Sequence, residues 1–251
     1  MIAKLSKEDV TQLLQDPSAE ARADAAAKIA THYDASADFG EEERKLAEEI
    51  FSIMCKDAEQ RVREALAANL KDCPYLPHDI AVTLARDVEA VSIPMLKFSS
   101  VLTDDDLIEI VRSQGEAKQL AVAGRQKLSS DLSDALIDTH NETVVGALVA
   151  NEGANISSSA MHRVLDDFEG SDVVRNALSG RATVPVEVTE RLVSMVSEQI
   201  HDQLMGREEM TSEQIGDLIL QSREKATLGL LGATKAKDDA RRLIVHLYKN
   251  D

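Results

Sequence analysis

Apolar residues return along this chain at helical spacing, and the whole pattern then returns at a longer interval. Leu132, Leu136 and Ile137 form one stripe, which recurs at Ala160, Val164 and Leu165 and again at Val188, Leu192 and Val193, each copy 28 residues after the last. Positions four and five apart share one side of an α-helix. The segments just before these stripes also match at that interval: AVAGRQKL from Ala121, VANEGANI from Val149 and ALSGRATV from Ala177. The first and third share A-[LV]-[SA]-G-R-x-x-[LV], while the middle copy keeps the apolar ends and changes the interior. Ser129, Ser157 and Pro185 align at the start of each second helix, where Ser is a good N-cap and Pro fits the first turn. The stretches 116–124, 142–150 and 172–179 predict the first helix of each unit. Two helices and two short turns fill the period, as in a helical-hairpin repeat.

The pattern continues upstream with looser spacing. Residues 87–111 predict a pair whose first helix is distorted by Pro94 and whose second opens at Thr103, with Asp106 at capping-box spacing. Residues 57–85 predict another pair, and residues 16–33 and 41–56 a longer one joined by the loop 34–40. About six pairs follow in order. Beyond them a helix runs from Glu187 to about Met205, and further helices are predicted over 210–223 and 234–248, separated by LGLLGATK at 228–235. The chain thus divides into a repeat array, residues 1–206, and a divergent C-terminal helical segment, residues 207–251, serving as a cap on the stack or as a docking or dimerisation element.

Composition narrows the fold class to all-α. Aromatic residues make up 3% of the chain and Trp is absent, so the core must be built from Ala, Leu, Val, Ile and Met. Eleven Gly and five Pro are too few for the many turns of a sandwich or barrel. The net charge of −17 repels phosphate backbones and anionic lipid heads, which argues against nucleic-acid or membrane-surface binding. Seven Lys or Arg against four Asp or Glu from Arg223 onward make the tail the one basic stretch, read as a solvated helix face. The two cysteines, Cys55 and Cys73, lack zinc or disulfide spacing and read as buried thiols. No signal peptide or membrane span is legible, and a reducing cytoplasm is the expected location.

Chemistry is sparse. The six histidines lie too far apart in sequence for a metal pair on one helix, and neither HExxH, an EF-hand spacing nor GxSxG occurs. Cys73 and His78 stand five apart, with nothing to supply an oxyanion hole. The acidic runs Glu41–Glu43 and Asp104–Asp106 sit near helix N-termini, where the dipole favours negative charge. Gly124 and Gly180 read as helix C-caps with positive φ, not as phosphate loops. No catalytic residue, metal or cofactor is assigned.

DAEQRVREALAANL, from Asp57, resembles the first helix of a HEAT repeat, with Val62, Arg63 and Ala65 on the motif. Asp16-Pro17 with Arg22 and Ala25, and Asp172 with Val174, Arg175 and Ala177, are partial copies. The resemblance spans residues 16–200 and implies a right-handed α-solenoid of about six helix pairs. It also implies that Asp57, Arg63, Asp172 and Arg175 pair between neighbouring units. Within that group the chain is similar to an uncharacterised bacterial family common in alphaproteobacteria, which implies no activity to inherit.

The function expected is a non-enzymatic scaffold or adaptor that binds another protein, of basic character, on the concave face. If second helices line that face, as in HEAT stacks, the contact residues are Asp134, Asp138, His162, Arg163, Asp166, Asp167 and Arg191. A second reading is a regulatory sensor for a small ligand such as a nucleotide second messenger, held by Arg125, Arg163, Arg181 and Arg191. An enzyme of HEAT-like fold, such as a DNA glycosylase or a bilin lyase, ranks third. The glycosylase needs a basic, aromatic-bearing groove, and the acidic body argues against one.

Overall fold

The computed structural model describes residues 18–35 and 40–205, with 216, 217 and 220. These residues form twelve helices and no strand. The helices are α1 (Ala19–Ala35), α2 (Glu41–Met54), α3 (Gln60–Leu70), α4 (His78–Arg86), α5 (Glu89–Phe98) and α6 (Asp104–Ser113). They continue as α7 (Glu116–Ala123), α8 (Ser130–Ile137), α9 (Glu142–Ala150), α10 (Ser158–Asp167), α11 (Asp172–Gly180) and α12 (Val186–Met205). Each predicted hairpin from residue 18 to 205 is thus two helices. Apart from the helical positions Gly216, Asp217 and Leu220, the C-terminal segment 207–251 lies outside the described residues, as does Asp16-Pro17.

Local chemistry sets most helix starts. Ser129 Oγ accepts from Leu132 N at 3.2 Å and Ser157 Oγ from Ala160 N at 3.1 Å, so the aligned serines are N-caps. Asn141 Oδ1 accepts from Thr143 and Val144 N, and Ser171 Oγ from Val174 N. Thr103 and Asp106 form the reciprocal capping box expected of them. Each such cap satisfies amides that the first turn leaves without helical partners. Pro185 precedes α12, its carbonyl accepting from Thr189 N at 3.0 Å. The helix α5, with Pro94 inside it, is continuous over its length. It spans only ten residues with its flanks pinned, so the lost Pro94 donor leaves a single gap in the ladder.

Gly124 is the C-cap of α7 as expected, but without the positive φ, and Gly180 is not a cap. No described glycine has positive φ: Gly124 sits at φ −84° and Gly180 ends α11 with Arg181 as the cap. The helix ends are closed by side chains from the next turn instead. Arg125 Nη1 and Nη2 donate to the Leu96 and Ser99 carbonyls at the end of α5, at 2.5 and 2.7 Å. Asn151 Nδ2 donates to the Ala123 and Arg125 carbonyls at the end of α7, at 2.8 and 2.7 Å. A short parallel bridge then joins Leu128 to Ala154, with Leu128 N donating to Gly153 O and Asn155 N to Leu128 O. The middle sequence copy departs from its neighbours because Asn151 and Gly153 perform this back-reach.

Residues up to 156 and residues from 157 onward form two compact units. In the first, α1, α3, α5, α7 and α9 touch in order as one row, while α6 touches α8 in the other. The core lies between them and holds Leu66, Leu70, Leu84, Met95, Leu107, Leu132 and Leu136, all essentially inaccessible. Tyr33 and Phe51 meet edge to face at 5.2 Å where α1 packs on α2. In the second unit, α10, α11 and α12 touch one another around Val164, Leu178 and Val188. Eight of the nine residues of the recurring stripe are buried, and Val193 is half-buried. Each such aliphatic chain contributes about 1.5–3 kcal/mol on leaving water.

Two substitutions probe this packing. A Cβ at Gly153 would collide with the Gln126 carbonyl. Gly153→Ala is therefore expected to lower unfolding free energy by about 1–3 kcal/mol in urea melts. Ser92 is wholly buried and its hydroxyl has no hydrogen-bond partner among the described residues. Ser92→Ala is expected to leave stability unchanged or raise it by about 1 kcal/mol in the same assay.

Candidate functional site

The strongest polar geometry of the first unit is a ladder of cations and aspartates across the starts of α1, α3, α5 and α7. Arg22 Nε and Nη2 donate to Asp57 at 2.8 and 3.0 Å. Arg63, the corresponding arginine of α3, donates through Nε and Nη2 to Asp87 at 2.5 and 3.0 Å, and through Nη1 to the Asp57 carbonyl at 2.6 Å. Lys118 of α7 reaches back to the Asp87 and Arg86 carbonyls and to Gln114 Oε1. Asn141 continues the line by donating to Glu116. Asp57 and Arg63 therefore pair with neighbours from adjacent helix pairs, as the HEAT resemblance implies. Asp172 and Arg175 do not: they pair with each other within α11, and Arg175 also donates to the Glu169 carbonyl. With Asp172 one turn before it on the same helix, Arg175 is satisfied locally.

Electrostatics marks the ladder as structural. Hydrogen bonds from Arg22 hold the Asp57 carboxyl below its ordinary 3.8, against the opposing effect of burial. At Asp87 burial is the largest influence and pushes upward, yet the Arg63 bonds and the Val88 amide together hold the carboxyl low. Lys118 is buried and burial lowers its pKa, with Asp87 and Glu89 opposing. Its three donated hydrogen bonds engage the ammonium form, which leaves no lone pair for nucleophilic work. A shallow, open cavity of about 760 Å³ lies over this ladder, lined among others by Gln60, Arg86, Asp87, Glu89 and Lys118. Of its charged groups, Asp87 and Lys118 are held within the ladder and Arg86 bonds Glu109 outside the cavity.

The sequence-predicted contact residues fall into two sets. Asp134 and Asp138 belong to the first unit, one helical turn apart at the end of α8, half-buried and exposed respectively. His162, Arg163, Asp166, Asp167 and Arg191 belong to the second. There Arg191 of α12 bonds Asp166 of α10, the Asp166 carboxyl is held low by that bond, and His162 adds a favourable charge. Arg163 and Asp167 are exposed. Among the arginines considered for a phosphate ligand, Arg125 is occupied by two carbonyls and Arg191 by Asp166, while Arg181 is half-buried.

Other chemistry is dispersed. His78 Nε2 lies 2.8 Å from Asp106 Oδ2, and Cys73 is buried and in no disulfide. Among the described residues no group of three His, Cys, Asp or Glu is placed to hold a metal ion. No described helix is long and apolar enough to cross a membrane. Sequence reasoning missed Asp87, Lys118 and Asn151 as partners. Asp87 carried a signal, since it opens the helix pair after the one that Asp57 opens.

These features define an all-helical protein of successive hairpins whose polar interior bonds are architectural. The chain belongs to a bacterial family described as "Uncharacterised protein conserved in bacteria (DUF2336)", which matches residues 91–251. No curated protein and no solved structure matches it.

The ladder predicts an acid dependence. Because the Asp57 and Asp87 carboxyls lie below their unfolded values, the stability they contribute is present above about pH 4 and lost as pH falls through the lower native values. Asp87→Asn is expected to cost about 2 kcal/mol near neutral pH, since it leaves Arg63 partly buried without its carboxylate. Urea melts between about pH 6 and 3 should show the gap between the two proteins narrowing on acidification.

Proposed function

We propose that the chain is a right-handed α-solenoid of HEAT-like pairs acting as a non-enzymatic scaffold or adaptor that binds another protein along its second-helix face. The observation that carries this reading is the ordered contact of α1, α3, α5, α7 and α9, locked by side chains that reach from one hairpin to the next. A row of this kind commits its first helices to neighbours and leaves second helices with one side available. In the first unit α8 carries Asp134, half-buried, and Asp138, exposed; in the second, taken by itself, α10 exposes Arg163, Asp166 and Asp167. In a chain of net charge −17, carboxylates there favour a basic partner segment. The engagement of Arg125 and Arg191 within the fold weighs against the nucleotide sensor. No convergent acid, base and nucleophile among the described residues supports an enzyme.

The test is affinity purification of the full chain from its native cell with quantitative mass spectrometry, alongside a chain carrying Asp134→Lys and Asp138→Lys. The expected result is one stoichiometric protein with a basic segment, retained by the wild type and reduced roughly tenfold by the charge reversal. Absence of a stoichiometric protein, combined with a dose-dependent rise in melting temperature on adding a nucleotide, would replace the scaffold with the sensor.

A further inference from the structure

The chain has only three Tyr and four Phe, yet two of them lie on the surface of the first unit, each beside cations. Tyr75 is 65% exposed and Phe98 48%. The Arg44 guanidinium lies 5.3 Å from the Tyr33 ring centre and 5.5 Å from that of Tyr75. Lys71 and Lys97 flank Phe98, their amines 4.6 and 5.6 Å from its centroid. Tyr33 holds this arrangement in place: its hydroxyl lies 2.9 Å from both Glu48 Oε1 and the Tyr75 carbonyl, with one proton to donate between the two acceptors, which ties the turn after α3 to α1. Lys71 caps the C-terminus of α3 and Lys97 lies in the last turn of α5, where the helix dipoles favour positive charge.

Packing does not account for this cluster. A core aromatic would be turned inward, as Phe51 is, and a solvated lysine would extend into water. Here both rings stay half-exposed or more while the cations sit over them, an arrangement worth only about 0.5–1 kcal/mol per contact in water and more once desolvated. Neither lysine forms an ion pair among the described residues, and Asp72 is the acid on the same turn. Exposed aromatics with adjacent cations are what a binding surface presents: the ring supplies area, the cation supplies register.

We propose that Tyr75, Phe98 and the cations Arg44, Lys71 and Lys97 form a docking edge for an acidic protein segment that carries an apolar anchor. This edge uses none of the carboxylates of α8 and α10 and does not depend on them. Charge complementarity selects the partner, because Lys71 and Lys97 gather over Phe98 in a chain of net charge −17, while Arg44 beside Tyr75 offsets the glutamates of its own helix. A nucleic acid would meet the same chemistry but needs more of it. Binding through the phosphate backbone rests on about 6–10 contacts, and the rest of the surface repels it. An acidic segment needs only two or three carboxylates spaced around one apolar side chain.

The probe is a fluorescein-labelled synthetic peptide of three Asp-Glu-Leu-Phe repeats, titrated into the full chain at about 150 mM salt. Fluorine NMR follows para-fluorophenylalanine placed at position 98 and, in a separate sample, at position 168 in the second unit. The expected result is saturable binding that moves the resonance at 98 and leaves that at 168 unmoved. Lys71→Glu with Lys97→Glu should weaken binding roughly tenfold, and Phe98→Ala comparably, with melting temperatures unchanged for these surface positions. Saturable binding without a shift at 98, undiminished binding by the charge-reversed chain, or no saturable binding would each overturn the proposal. Tighter binding of a fluorescein-labelled oligothymidylate under the same conditions would overturn it in favour of nucleic acid.

Discussion

Helical hairpins of this size cannot stand alone. A helix of eight to ten residues, the length of α4 to α10, is below what is stable in water by itself, so each depends on what the neighbouring hairpin supplies. Apolar contact between rows supplies most of the free energy and very little of the register. The register comes from side chains that cross from one hairpin to the next: Arg22 to Asp57 and Arg63 to Asp87 at the starts of the first helices, Arg125 and Asn151 at their ends. Both sets bond groups that would otherwise be buried and unsatisfied. A shift of one hairpin by a single turn would strand a guanidinium and a carboxylate away from each other, a penalty that generic apolar packing in the shifted register could not offset.

That division of labour explains which parts of the fold were legible in the sequence. The apolar stripe at Leu132, Ala160 and Val188 was readable because helix burial imposes a period, and the caps at Ser129, Ser157 and Thr103 because capping is local chemistry. The Asp57 and Arg63 pairings were readable only through the HEAT resemblance. Gly124 was rightly placed as a cap, but its positive φ was misread, because a glycine at a helix end has a common use that this fold replaces with Arg125 and Asn151 arriving from the next turn. Asp172 with Arg175 was misread for a related reason. The motif places the residues correctly, but an acid three positions before an arginine can satisfy it within one helix.

The proposed binding surface was less legible, and the reason is again physical. Core positions are constrained by many neighbours at once, whereas exposed positions such as Asp138, Arg163 and Asp167 have one side facing solvent, which accepts almost any polar residue. Pattern alone therefore cannot separate a solvated face from a recognition face. The Tyr75 and Phe98 cluster was invisible to a repeat search because its members come from a turn, a helix end and a neighbouring hairpin. Composition held a faint trace of it, since a chain with so few aromatics has little reason to place two on its surface.

On the proposed adaptor reading, acidity and recognition are connected through local contrast. A uniformly acidic surface would repel its own kind and most cellular polymers, which preserves solubility but selects nothing. Selection needs places where the field reverses or where carboxylates gather in excess. The interior ladder contributes little, because its charges are matched pair by pair and present little net field. The outward field is left to the second helices, through their carboxylates, and to the ends of α3 and α5, through lysines over a ring. Two surfaces of opposite sign on one protein are suited to joining two different partners, and that pairing, more than either surface alone, is what distinguishes an adaptor from a simple binding module.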